Sequence, residues 1–196
     1  MLDAIGRACR DYAWRDGRGY PDWAARYLPI VRRTRPLLYP GAVVIEVGVN
    51  RAGFGRFAGY QTVAVDISPG QLAEAGAAKA VAADAARLPF RPDSVDLCVC
   101  MDVLEHVPDA LRERVVAEIV RVLKPSGVAV IAFPSGAAAH AVETQIRAEY
   151  RRVLGGSLEW LEQHVATGLP DAAGVAAAAG VGGRPVTIRP NLNVHV

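Results

Sequence analysis

Apolar residues gather in short runs along the middle of the chain, separated by stretches of helical period. Residues 43–47, 62–65, 80–83, the run ending at Met101 and residues 128–133 each have the length of a strand. Little polar alternation breaks them. Strands buried on both faces read this way, which is the condition of a parallel sheet covered by helices. Between them, residues 109–123 predict a helix: Leu111, Val115, Ile119 and Val122 recur at helical spacing, with Arg112, Glu113, Glu118 and Arg121 turned outward. Asp109 is the expected N-cap, Lys124 suits the negative end of the helix dipole, and Pro125 and Gly127 end the helix.

Either side of this core the pattern changes. Residues 1–40 predict a helical, Arg- and aromatic-rich lead segment. Its Tyr12, Trp14, Tyr20, Trp23 and Tyr27 form either the buried side of a cap helix or a lid. Residues 139–167 predict one or two helices, with Val142, Ile146, Tyr150 and Val153 on one face. Ser157 is a candidate cap for the second and Gly168 its end. A further helix over 170–179 closes at Gly180. Residues 185–189 and 192–196 read as two short strands turning at Pro190-Asn191.

Composition narrows the class. At 196 residues one domain, 1–196, is expected, with a cap over 1–40, a core over 41–134 and closing elements over 135–196. The 52% hydrophobic content comes largely from alanine. No apolar run approaches the ~20 residues of a spanning helix, so no membrane span is expected. A net charge of +2 argues against a dedicated nucleic-acid surface. Cys9, Cys98 and Cys100 are an odd number without metal-ligand spacing; no metal is expected, and a reduced, cytoplasmic setting fits best.

The candidate chemistry begins at Val43-Val44-Ile45-Glu46-Val47-Gly48-Val49-Asn50-Arg51-Ala52-Gly53-Phe54-Gly55. A buried strand, an acid, a small-residue loop and a helix start suit close passage beneath a nucleotide-like ligand, because glycine leaves room where a Cβ would clash. About 20 residues on, the second apolar run ends in Asp66, where a carboxylate can grip a ribose diol.

Later segments point to one family. Asp84-Ala85 precedes Leu88-Pro89-Phe90. Asp93-Ser94-Val95-Asp96 leads to Met101-Asp102-Val103-Leu104-Glu105-His106-Val107. Arg121-Val122-Leu123-Lys124-Pro125-Ser126-Gly127 enters the last apolar run. From about Val43 to Pro134 the chain resembles the class I S-adenosylmethionine-dependent methyltransferases, the type 11 group in particular. The resemblance implies an α/β, Rossmann-like doubly wound, mostly parallel sheet with helices on both faces. It also implies a C-terminal antiparallel hairpin, which the two last predicted strands fit.

By that resemblance the cofactor is S-adenosyl-L-methionine and the acceptor a small molecule, met by the lead segment and residues 135–168. Glu46 would brace the loop or meet the cofactor's amino group, with Gly48, Asn50 and Gly53 in the loop. Asp66 would hold the ribose, and Ile67 would pack on adenine. Asp84 and the Ala85 amide would meet the adenine edge, while Met101 and Asp102 would line the methionine part. His140, Glu143 and His106 are the candidates for a catalytic base; His164, beside Trp160, reads as packing or surface, and Asp96 as a structural brace. Asn50 and Ala52 depart from the D/E-x-G-x-G-x-G pattern, which keeps open a binding or regulatory protein without turnover. A nicotinamide-dependent oxidoreductase is the other alternative, although Gly48-x-x-x-x-Gly53 lacks the G-x-G-x-x-G spacing.

Overall fold

The computed structural model describes residues 21–49, 53–55 and 61–189; of residues 21–26 and 28 it describes the backbone alone. Five strands form one parallel sheet: β1 Val44–Val47, β2 Thr62–Asp66, β3 Lys79–Ala82, β4 Val95–Met101 and β5 Leu123–Ala132, in the order β3-β2-β1-β4-β5. Val44 lies opposite Thr62 on one side and Leu97 on the other, so β1 is central. The helices are α1 Pro21–Thr34, α2 Pro69–Ala75, α3 Asp109–Val122, α4 Gly136–Leu154, α5 Glu159–Thr167 and α6 Ala172–Ala179. Short 3₁₀ turns occupy Arg35–Leu37 and Leu104–His106.

The uninterrupted apolar runs are explained by burial on both faces. Ile45, Val47, Cys98 and Cys100 point to one face, where Val115, Val116, Ile119 and Val122 of α3 cover them. Val44, Leu97, Val99 and Met101 point to the other, beneath Tyr27 and Ile30 of α1 and Phe54. Each fully buried Val, Leu, Ile or Met contributes about 1.5–3 kcal/mol, so these two layers dominate the fold's stability. Among the described residues no helix is long and apolar enough to cross a membrane.

Several expectations are corrected. Among the described residues no antiparallel hairpin is seen: 185–189 lie outside any strand, and 192–196 are not among those described. Val186 and Ile188 are exposed, so their alternation with polar neighbours buries nothing. Leu111 is 42% exposed whereas Arg112 is buried to 6%, because α3 turns its first-turn arginine toward the carbonyl groups around it. Lys124 lies within β5, second after Leu123, instead of ending α3, and its Nζ pairs with Asp96 at 2.8 Å. Pro108, not Asp109, holds the N-cap of α3; Leu158, not Ser157, holds that of α5. Gly168 and Gly180 do close their helices. Asp96 braces the sheet: it accepts from Val43 N at 2.8 Å and from Tyr39 Oη at 2.8 Å besides binding Lys124.

Tyr27, in α1, is buried with its ring 6.3 Å from that of Phe54, which matches the cap-helix reading. Tyr12, Trp14, Tyr20 and the Trp23 side chain lie outside the described residues.

Candidate functional site

The strand order reverses at β1: the chain adds β2 and β3 on one side of it and then β4 and β5 on the other. At such a switch point the loops leaving adjacent strands diverge and open a crevice at their carboxyl ends. Val47 lies opposite Val65 and Cys100, so the next residues of the three strands, Gly48, Asp66 and Met101, reach one level at that end.

Glu46 is the buried anchor of the loop. Its Oε1 accepts the Phe54 N–H at 2.5 Å and its Oε2 the Gly55 N–H at 3.4 Å, so it serves the start of the following helical turn. Burial pushes its pKa up to about 7, against the lowering effect of those two N–H donors. Gly53 packs directly on this carboxylate: a Cβ there would sit 3.0 Å from Glu46 Oε2. Gly48 takes φ +74°, and a Cβ on it would come within 2.1 Å of Val103 Cγ2. Its N–H donates to Val65 O at 2.8 Å. Asn50 and Ala52 lie outside the described residues.

Asp66 closes the other side of the loop. Oδ2 accepts the Val49 N–H at 3.0 Å and Oδ1 the Ser68 N–H at 2.8 Å. Ile67 beside it is 72% exposed, an apolar surface held at the tip of β2. Asp84 follows β3 and is exposed; its Oδ1 accepts the Ala86 N–H at 2.8 Å, turning the chain so that Ala85 is half-buried. Helix α3 pins this turn. Arg114 Nε donates to Ala86 O at 3.0 Å, Leu88 N donates to Glu118 Oε2 at 2.8 Å, and Arg121 donates to Leu88 O and Phe90 O. The outward-facing charges read from the sequence thus hold a loop in place. Met101 is buried, and Asp102 adopts φ +55° while its N–H donates to Ala132 O at 2.8 Å. Positive φ is uncommon outside glycine and marks a sharply redirected chain.

The base candidates fall in a second cluster. His106 ends the 3₁₀ turn after β4. His164 of α5 is buried, with its Nε2 3.4 Å from His106 Nε2. His106 Nδ1 lies 3.0 Å from Gln163 Oε1, and His164 Nδ1 lies 2.9 Å from Glu143 Oε1. Desolvation and the neighbouring His164 ring hold His106 below the usual histidine range. His140 is exposed on α4; with Glu143, Thr144, Arg147, Leu161 and His164 it lines a small cavity of about 80 Å³. Buried Arg112 locks the cluster's frame: it donates to Leu104 O, Val107 O, Thr167 O and Gly168 O, joining the turn that carries His106 to the end of α5. Sequence spacing gave no sign that Arg112 would reach Thr167 and Gly168, or that His106 would meet Gln163 and His164, because each of these contacts joins segments more than 50 residues apart.

Residues 46–131 match the family described as Methyltransferase domain. A protein of Mycobacterium sp. strain JLS named an uncharacterized methyltransferase is 38% identical over 103 residues, 47% of this chain and 39% of that protein. A like-named protein of Mycobacterium avium strain 104 is 35% identical over 102 residues, 47% of this chain and 40% of that protein. The match thus spans about two fifths of the length of these relatives. Among solved structures, a SAM-dependent methyltransferase from Methanosarcina mazei aligns with a TM-score of 0.51 at 21% identity, covering 66% of this chain and 68% of that one. The YcgJ protein of Bacillus subtilis aligns with a TM-score of 0.51 at 16% identity, covering 78% and 82%. At these identities the structural likeness establishes the Rossmann-like fold.

Proposed function

We propose, from the premise that residues 46–131 form a methyltransferase domain of the type 11 group, that the protein binds S-adenosyl-L-methionine in the crevice beside β1. It then moves the methyl group to a small-molecule acceptor. The observation that carries this reading is the meeting of Gly48, Asp66 and Met101 where the strand order reverses, with Glu46 holding the loop from below. The residues suit the group. Asp66 is a carboxylate at a strand tip, Ile67 offers an exposed apolar face beside it, and Asp84 with Ala85 forms a turn at the next tip.

When bound, the cofactor supplies a methyl group already activated on a sulfonium centre. The chain's task is then mainly to hold and orient. Asp66 would accept from the ribose hydroxyls, Asp84 and the Ala85 N–H would address the adenine edge, and Met101 and Asp102 would line the methionine part. Residues 135–169 would present the acceptor in line with the methyl. A base is required only for an acceptor that keeps its proton at working pH. The buried thiols Cys98 and Cys100 suit a reducing cytoplasm.

Calorimetric titration of S-adenosylhomocysteine into the wild type and Asp66→Ala tests the reading. One-site binding that weakens in the variant supports it. No heat and no thermal stabilisation in the wild type would overturn it.

A further inference from the structure

The two histidines of the second cluster are arranged in a way that hydrogen bonding between them does not explain. Each Nδ1 faces an oxygen acceptor: Gln163 Oε1 at 3.0 Å for His106, and Glu143 Oε1 at 2.9 Å for His164. An imidazole whose Nδ1 serves an acceptor carries its hydrogen there and leaves Nε2 as a bare lone pair. The two Nε2 atoms nevertheless face each other at 3.4 Å, with the rings tilted by 54°. Two lone pairs at that distance repel unless a cation lies between them.

A carboxylate completes the set. One ligand atom each from Glu105, His106 and His164 lies within 4.8 Å of the others. At metal–nitrogen bonds of about 2.0–2.1 Å, two imidazoles on a tetrahedral ion have nitrogens about 3.3–3.4 Å apart, the separation seen here. The outer arrangement also fits, because a ligating histidine commonly donates its second N–H to a carboxylate or amide oxygen. Glu143 and Gln163 stand in those positions. Arg147, which lines the same cavity as Glu143 and His164, and Arg151 are engaged by Glu162.

The frame is preformed. Arg112 and Thr167 Oγ1 bind the carbonyl groups of the 3₁₀ turn and of the α5 end, fixing Glu105 and His106 against His164. Glu105 and His164 are buried while His106 is exposed, so an ion can enter past His106.

We propose that Glu105, His106 and His164 form a binding site for one divalent first-row transition-metal ion, with Glu143 and Gln163 orienting the two imidazoles. Two nitrogens and one carboxylate oxygen suit Zn²⁺ or Co²⁺ and leave a coordination position open. This site stands apart from the methyl-transfer reading, since an ion can bind whether or not the crevice beside β1 takes the cofactor.

The test is titration of the chelator-treated full chain with Co²⁺, followed by visible absorption, and then displacement by Zn²⁺. We expect one Co²⁺ per chain and a rise in melting temperature. His106→Gln should lose uptake by 100-fold or more, and Glu143→Gln should weaken it about 10- to 100-fold. His164→Ala alters a buried position and can fail to fold; His106→Gln, at an exposed position, then decides the matter, with circular dichroism reporting its fold. No uptake by the wild type would overturn the site and favour a direct N–H···N bond between the rings, with the Gln163 amide turned over. Uptake unchanged in His106→Gln would also overturn it. S-adenosylhomocysteine titrated into the same preparation separates the two readings, because either ligand can bind when the other does not.

Discussion

The Asp66 carboxylate accepts the Val49 backbone N–H at 3.0 Å, which ties the tip of β2 to the loop that leaves β1. The same carboxylate receives the Ser68 N–H at 2.8 Å at the start of α2. Asp66 therefore shapes the crevice before any ligand arrives. Asp66→Ala should lower S-adenosylhomocysteine affinity by roughly 10- to 100-fold, the worth of a charged acceptor at about 1.5–3 kcal/mol. Asp66→Asn keeps one acceptor oxygen and should lose less. Calorimetry of both variants checks the order, and an unaltered affinity in Asp66→Ala would sink the ribose assignment.

Gly48 should not tolerate a side chain. A Cβ would meet Val103 Cγ2 at 2.1 Å, and φ is +74°. Gly48→Ala should cost roughly 2–4 kcal/mol, combining backbone strain with overpacking. Adding Val103→Ala removes the contact but not the strain, so the double variant should recover part of the loss. Urea unfolding of the three proteins measures both parts.

Glu46 makes stability fall with rising pH. Its pKa is about 7 in the fold against an ordinary 4.5, so between those values the folded chain holds more protons than the unfolded chain. Stability is then lost as pH rises through that window, by about 3 kcal/mol at most. Glu46→Gln should flatten the slope between about pH 5 and about pH 8, measured by urea midpoints. An equal slope in wild type and variant would refute the assignment.

Arg112 should be among the costliest polar residues to remove. It is buried and donates to four carbonyl groups besides Asp109. Arg112→Ala leaves those acceptors in a dry environment, a loss of roughly 2–4 kcal/mol. Arg112→Lys should rescue little, because one ammonium cannot reproduce the planar fork. Thermal unfolding of both variants is the check.

Strands β1 and β4 were legible because burial on two faces leaves an apolar run that needs no partner to be recognised. Glu46, Gly48 and Asp66 were legible because a strand end followed by small residues is a local signal. The C-terminal segment misled because Val186 and Ile188 have strand-like spacing with no surface to cover. Arg112 and His164 were hidden for the opposite reason. Part of what surrounds each, Thr167 and Gly168 for Arg112 and His106 for His164, comes from segments more than 50 residues away, of which the neighbouring sequence carries no trace.

The central place of β1 has a consequence for how the chain is made. Val44 pairs with Thr62, close behind it, but also with Leu97, which leaves the ribosome much later. The β1–β2–β3 half can assemble early, yet the outer edge of β1 stays open until β4 emerges. During synthesis that edge is a template for stray strands. Slowing translation between Ala82 and Val95 should therefore increase aggregation of the nascent chain, whereas a pause after Ala132 should not.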